Sequence, residues 1–185
     1  MNWFDILKTT DPFFVAIDEM VSYWENLHDW YEHIWNQIKR MKNDPVYAGE
    51  MQTLVGASEF KDSQQGAFRQ QGESVEDKKG VAQHHIDKLT QMRDTNAIRD
   101  FYYYLKTHLR NSQQLEDTNN MIYNVLRNEK PAGMRGWFSR LDIPKPPEMP
   151  TYDSIEKHTQ RLEELFLVYV PGKKQGHMGK WVQRR

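Results

Sequence analysis

Glu25 and His28 lie three residues apart in a stretch with helical periodicity, which places both side chains on one face of a helix. Di-iron carboxylate bundles use a Glu-x-x-His pair of this kind because the carboxylate and the imidazole converge on one metal. Such a centre needs a second pair, and no other histidine has a glutamate three residues before it. Glu25 and His28 are therefore only weak candidate metal ligands. We predict no metal centre and no cofactor, and a helical-bundle metalloenzyme stays an alternative.

Patterns for nucleophilic catalysis are missing from the sequence. It contains no cysteine and no Gly-x-Ser-x-Gly turn. The glycine-rich segment 172–180 lacks the Gly-x4-Gly-Lys-Ser/Thr spacing of a phosphate-binding loop. His84 and His85 are adjacent, so on a helix their side chains diverge, which suits surface positions better than a shared metal. We therefore predict that the protein is not an enzyme.

The C-terminal segment 171–185 is strongly basic. It contains five cations and no acidic residue; because the whole chain has a net charge of -1, the rest of the chain is acidic. Cations, glycines and an aromatic ring in one segment are typical of an arm that binds an acidic partner or a nucleic acid. A nucleic-acid-binding accessory protein is therefore an alternative function. The residues of this basic tail are Lys173, Lys174, Lys180, Trp181, Arg184 and Arg185.

A long helix near the amino end is the main element that positions these residues. Apolar residues recur at alternating steps of three and four, which indicates one continuous stripe on a helix. Asp11 can cap this helix, Pro12 suits its first position and Pro45 follows its end. The stripe must pack against two or more neighbouring helices. Its members are Phe13, Ile17, Met20, Trp24, Leu27, Tyr31, Ile34, Ile38 and Met41.

The rest of the chain alternates between helical and irregular patterns. The apolar pattern slips near Asp94–Asn96, which either starts a second helix or rotates the helix face, and residues 115–126 form a further helix. Asp153 with Glu156 resembles a capping box. No segment reads convincingly as a strand. We predict an all-α fold in which a long N-terminal helix packs with three or four shorter helices, with a long irregular arm and tail.

Six segments are expected within a single domain. They are an N-terminal segment with the long helix at 1–45, a flexible polar arm at 46–80, a helical hairpin region at 81–130, a Pro-rich connector at 131–150, a C-terminal helix at 151–170 and the basic tail at 171–185.

Composition restricts the location of the protein. Hydrophobic residues make up 38% of the chain, charged residues 28%, and the mean hydropathy is -0.88. No apolar stretch reaches the roughly 18 residues of a membrane span, and the amino end lacks the pattern of a secretion signal. We expect an intracellular, cytoplasmic protein, or a virion component if the source is viral, with no membrane partner.

The opening segment Met1–Lys8 reads Met-Asn-Trp-Phe-Asp-Ile-Leu-Lys. It resembles the start of many small uncharacterised proteins from marine bacteriophages and archaea. The resemblance covers only this segment and carries no functional motif, so it implies a viral or archaeal source and no site residue.

Aromatic residues make up 12% of this polar chain. Tryptophan and tyrosine dominate the energetics of protein interfaces. We therefore predict a non-enzymatic structural or interaction protein that is a subunit of a larger homo- or hetero-oligomer, with a phage virion or assembly component as one form. The predicted partner interface consists of Trp3, Phe4, Trp24, Trp30, Tyr31, Trp35 and Tyr103.

Overall fold

A computed structural model describes residues 11–43, 62–126, 143–170 and 180–183, with side chains described at 11–40, 74–124 and 143–166. These residues form α1 (Pro12–Asn43), α2 (Asp62–Asp94), α3 (Ile98–Leu126), α4 (Tyr152–Phe166), β1 (Leu167–Val170) and β2 (Lys180–Gln183). The predicted all-α class is confirmed. Among the described residues, no helix combines the length and apolar character that crossing a membrane requires.

Helix α1 begins and packs as its sequence predicts. The backbone N–H of Phe13 donates to the Asp11 carboxylate at 2.8 Å, and the N–H of Val15 donates to the Asp11 carbonyl at 3.0 Å. Asp11 is therefore the N-cap. The apolar stripe is buried from Phe13 to Ile38, each member being 4% exposed or less, so its predicted role in the core is confirmed. The side chain of Met41 lies outside the described residues.

Helix α2 begins at Asp62, within the segment predicted to be a flexible arm. At 33 residues it is as long as α1, so the helices that follow α1 are not all shorter. Its first half contains four glutamines and two glutamates, which are strong helix formers, and each isolated glycine costs only about 1 kcal/mol. The arm prediction is therefore wrong for 62–80, while 46–61 lies outside the described residues.

The phase slip near Asp94 is a real break between two helices. The N–H of Ala97 donates to the Met92 carbonyl at 2.9 Å and the N–H of Asn96 donates to the Arg93 carbonyl at 3.2 Å, which together make a Schellman motif. Asn96 supplies the left-handed residue of this motif, with a φ of 54°. Helix α3 then continues to Leu126 without interruption, because residues 111–114 contain no proline or glycine.

Helix α4 is capped by Thr151 and not by the predicted Asp153. The N–H of Ser154 donates to the Thr151 hydroxyl at 3.2 Å. The helix ends at Phe166, four residues before the predicted end, and β1 pairs antiparallel with β2, Leu167 opposite Gln183 and Val170 opposite Lys180. The run Leu-Val-Tyr-Val in β1 is rich in β-branched and aromatic residues, which favour extended backbone over helix. The predictions of helix to residue 170 and of no strand were therefore wrong.

The chain divides into two compact units. Within the described residues, unit 1 comprises 11–22, 87–113, 150–170 and 180–183, and unit 2 comprises 23–43, 62–86, 114–126 and 143–149. Buried core residues of unit 1 include Phe13, Ile17, Met20, Leu89, Phe101, Leu105, Ile155 and Leu162. Those of unit 2 include Leu27, Ile34, Ile38, Val75, Ala82, Ile122 and Ile143.

Candidate functional site

Three residues of the predicted partner interface belong to the core of unit 2. Trp24, Trp30 and Tyr31 are only 3%, 4% and 2% exposed. Their prediction as a partner surface was wrong, because the buried arc of α1 is wide enough to include them. Trp35 is half-buried, and Trp3 and Phe4 lie outside the described residues.

Each of these buried rings has a specific structural contact. The indole N–H of Trp30 donates to the carbonyl of Pro144 at 2.9 Å, which ties the connector to α1. The Tyr31 hydroxyl donates to the amide oxygen of Asn119 on α3, and burial raises the pKa of Tyr31. Trp24 stacks on His85 of α2 with ring centroids 4.0 Å apart. His85 is therefore a packing residue, and its neighbour His84 is exposed.

Tyr103 on α3 is the one fully described member of the predicted interface that is exposed, at 53%. Its ring lies edge-on to Tyr102, with centroids 5.2 Å apart. The Tyr102 hydroxyl donates to the Glu163 carboxylate at 2.5 Å, and its ring also meets Phe166 edge-on at 4.9 Å. Burial, and then the Glu163 carboxylate, raise the pKa of Tyr102. Tyr103 therefore packs against a neighbour, Tyr102, that is held in place by Glu163 and Phe166.

Other large apolar side chains are exposed on the helices of each unit. In unit 1, Tyr152 is 59% exposed and Val15 and Leu165 are 38% and 39% exposed. In unit 2, Val81 and Met121 are 53% and 61% exposed. Single exposed apolar residues are ordinary on protein surfaces. Aromatic residues and methionine are the types enriched in interfaces.

The structure brings His28 together with Asp29 and Glu32, and Glu25 is not part of this group. One ligand atom from each of the three lies within 4.8 Å of the others, and His28 Nδ1 is 3.3 Å from the Asp29 carboxylate. One imidazole and two carboxylates are chemically suited to a transition metal. The Asp29 side chain is 77% exposed, however, and exposed groups of this kind are common without an ion. The group by itself does not define a site.

A cleft of about 120 Å³ lies in unit 2 between α3 and the connector. Its two buried members, Tyr23 and Asn119, are 4% and 3% exposed, and Glu116 and Glu148 are exposed at its edge. The remaining lining residues are Asn120, Pro146, Pro147 and Met149. No spacing in the sequence marks this site, because its carboxylates come from segments far apart in the chain.

Unit 1 contains two buried histidines that the sequence did not single out. His158 Nε2 lies 2.6 Å from the Glu19 carboxylate, and joins α4 to α1. His108 is 7% exposed, and burial lowers its pKa from 6.5 to about 4. For His158 a signal was present, because it lies three residues after Ile155 and four before Leu162 on the apolar face of α4.

The predicted basic tail lies outside the described residues, apart from the backbone of Lys180–Gln183 in β2. Comparison of the chain with protein-family models, curated proteins and solved structures finds no match. The candidate features of the described part are therefore the exposed Tyr103 and the acidic cleft of unit 2.

Proposed function

We propose that the protein is a non-enzymatic structural or interaction protein, a subunit of a larger homo- or hetero-oligomeric assembly. The observation that carries this proposal is Tyr103, which is 53% exposed although its neighbour Tyr102 is 7% exposed and fixed. A tyrosine offers a large contact area with few rotatable bonds, so ordering it at an interface costs little entropy.

Further apolar side chains on the same unit support an interaction role. Tyr152, Val15 and Leu165 keep between about two fifths and three fifths of their surface in contact with water. Burial of apolar surface stabilises an association by roughly 25 cal/mol per Å² before the cost of immobilising the partners. Aromatic side chains contribute most to an association when they fit a partner of matching shape.

The use of the polar side chains supports a structural role over catalysis. Glu19 and His158 join two helices of unit 1. Tyr31 and Asn119 do the same in unit 2. Such pairs fix the register of packed helices, a use of buried polar groups that is well attested in helical proteins.

A phage virion or assembly component is one form of this proposal. Its support is the resemblance of Met1–Lys8 to the opening segments of small marine phage and archaeal proteins.

The test is the association state of the purified full chain and of its Tyr103→Glu variant. Sedimentation velocity over a wide range of concentrations should give oligomers for the wild type and a shift toward monomer for the variant, because a charge at position 103 would be buried against the partner. Asn111→Glu is the matched control: it places the same charge at an exposed position of α3 without removing an apolar ring.

A second measurement covers a partner of a different kind. Benzoylphenylalanine in place of Tyr103, activated by light in cells that express the protein, should give discrete cross-linked products. A wild-type chain that stays monomeric at every concentration and yields no discrete product would contradict the proposal.

A further inference from the structure

We propose that the cleft of unit 2 binds a guanidinium group, carried by a free arginine-like amine or by an arginine side chain of a peptide. The cleft joins Glu116 of α3 to Glu148 of the connector. This inference does not rest on the proposed assembly, because a monomer presents the same cleft.

The lining of the cleft carries two carboxylates and no basic side chain, together with three polar side chains that both donate and accept hydrogen bonds, Tyr23, Asn119 and Asn120. Glu116 and Glu148 contribute carboxylates, which only accept hydrogen bonds. Pro146 and Pro147 have no backbone N–H to donate. None of the residues lining the cleft is basic. A ligand that matches this lining carries a positive charge and several donors, and a guanidinium has five N–H donors and no acceptor.

The size of the cleft matches a group of this kind. Its volume is about 120 Å³. A cavity of about 150 Å³ holds one benzene molecule, and one water needs only about 10–15 Å³. The cleft therefore suits a group of about four or five non-hydrogen atoms, which is the size of a guanidinium with its first methylene.

The aromatic and apolar side chains of the lining favour a guanidinium over a hydrated metal ion as the ligand. Tyr23 and Met149 line the cleft together with the two prolines. The guanidinium plane is weakly hydrated and stacks on aromatic and apolar surfaces, whereas a divalent cation holds its water and prefers an all-oxygen environment. The mixed lining therefore favours the organic cation.

Contacts behind the cleft hold its two walls in place. Asn119 is fixed by the hydroxyl of Tyr31, and the connector is fixed where Trp30 donates to the Pro144 carbonyl at 2.9 Å. Ile143, 2% exposed, anchors the described part of the same connector. Walls held in this way reduce the entropy lost when a ligand binds.

The experiment is a titration of the isotope-labelled full chain followed by amide chemical shifts. Arginine amide should shift the amides of residues 116–120, Glu148 and Met149 in a saturable way. Citrulline amide has nearly the same shape but a neutral ureido group in place of the guanidinium, and should bind at least about tenfold more weakly, because hydrogen bonds between charged groups are the stronger ones.

Two variants test the carboxylates. Glu116→Gln and Glu148→Gln should each weaken binding of arginine amide by about tenfold. Both side chains are exposed, so neither substitution threatens folding. Glu76→Gln is the control, since it removes the same charge at an exposed position of unit 2 outside the cleft.

Two further ligands distinguish the two possible sources of the guanidinium. Agmatine represents a free amine, and a tripeptide with blocked ends and a central arginine represents a protein; tighter binding of one assigns the source, and binding of either supports the proposal. Equal shifts with arginine amide and citrulline amide, no shift with either, or saturation of these amides by calcium chloride alone would overturn it. Unchanged binding in both glutamine variants would do the same.

Discussion

Replacement of Tyr31 by phenylalanine tests how two helices of unit 2 that are distant in sequence are joined. The hydroxyl of Tyr31 on α1 donates to the amide oxygen of Asn119 on α3, and the two side chains are 2% and 3% exposed. Tyr31→Phe keeps the ring and removes the donor, so the Asn119 oxygen stays buried without its partner. Leaving a buried polar group unsatisfied costs about 1–3 kcal/mol in the free energy of unfolding.

The partner variant Asn119→Leu leaves the Tyr31 hydroxyl buried in the same way. A similar loss of about 1–3 kcal/mol is expected. In the double variant both polar groups are gone and two apolar side chains of similar size face each other. Such a replacement is nearly neutral, so the double variant should be more stable than either single variant. The coupling energy of the cycle is then close to the sum of the two single losses.

The assay is urea unfolding followed by circular dichroism at the helical band, with thermal unfolding as a second probe. A loss of 1 kcal/mol corresponds to a fall in the melting temperature of about 2–4 °C for a chain of this length. Tyr152→Phe is the control, because Tyr152 is exposed. Removal of its hydroxyl should change the free energy of unfolding by less than about 0.5 kcal/mol. If the double variant loses the sum of the two single losses, the hydrogen bond does not join these helices and the reasoning fails.

Three further predictions concern the remaining described features. The pKa of His108 is about 4 in the folded state and 6.5 in the unfolded chain, so the unfolded state binds a proton more readily. The free energy of unfolding should therefore fall by about 3 kcal/mol as the pH drops from 6.5 to 4. Urea midpoints across this range should fall less in His108→Phe than in the wild type, and an identical pH profile would contradict this prediction. Asn96→Ala should lower the free energy of unfolding by about 1 kcal/mol, because φ at this position is 54°, whereas Asn96→Gly should not lower it. Urea unfolding measures both, and equal losses would refute the role of the left-handed residue. Gly80 is in the interior of α2 with open space where the Cβ of an alanine would lie. Gly80→Ala should therefore raise the free energy of unfolding by about 0.5–1 kcal/mol in the same assay. A loss of stability would contradict this prediction.

The helices were predictable where one physical signal dominates. The stripe from Phe13 to Ile38 repeats so regularly that burial of one face of α1 follows from the sequence alone. The start of α2 was missed because its first half has few apolar residues; the signal there is intrinsic helix propensity, which is weak per residue and was outweighed by the glycines. Residues 167–170 were missed because a short apolar run after a helix has the same pattern whether it continues the helix or turns into a strand.

The candidate site was less predictable because it depends on pairs that are distant in the chain. No local sequence feature marks Asn119 or Glu116. In the folded chain Asn119 accepts a hydrogen bond from Tyr31, and Glu116 lines a cleft with residues of the connector. The predicted interface was overextended for a related reason. Composition shows that a chain is rich in tryptophan, but only the structure shows that Trp24 and Trp30 are buried within the chain and that Tyr103 is exposed.

The distribution of polar groups within each unit has a consequence for any function of the protein. Hydrophobic packing alone tolerates sliding of one helix along another, since one apolar stripe resembles the next turn of itself. A buried pair such as Tyr31 with Asn119, or His158 with Glu19, is satisfied in one register only. A helix that is fixed in this way holds its exposed residues at defined positions. Tyr103 at the surface of unit 1 and Glu116 at the edge of the cleft in unit 2 are therefore presented by rigid supports, which is the property that selective binding requires.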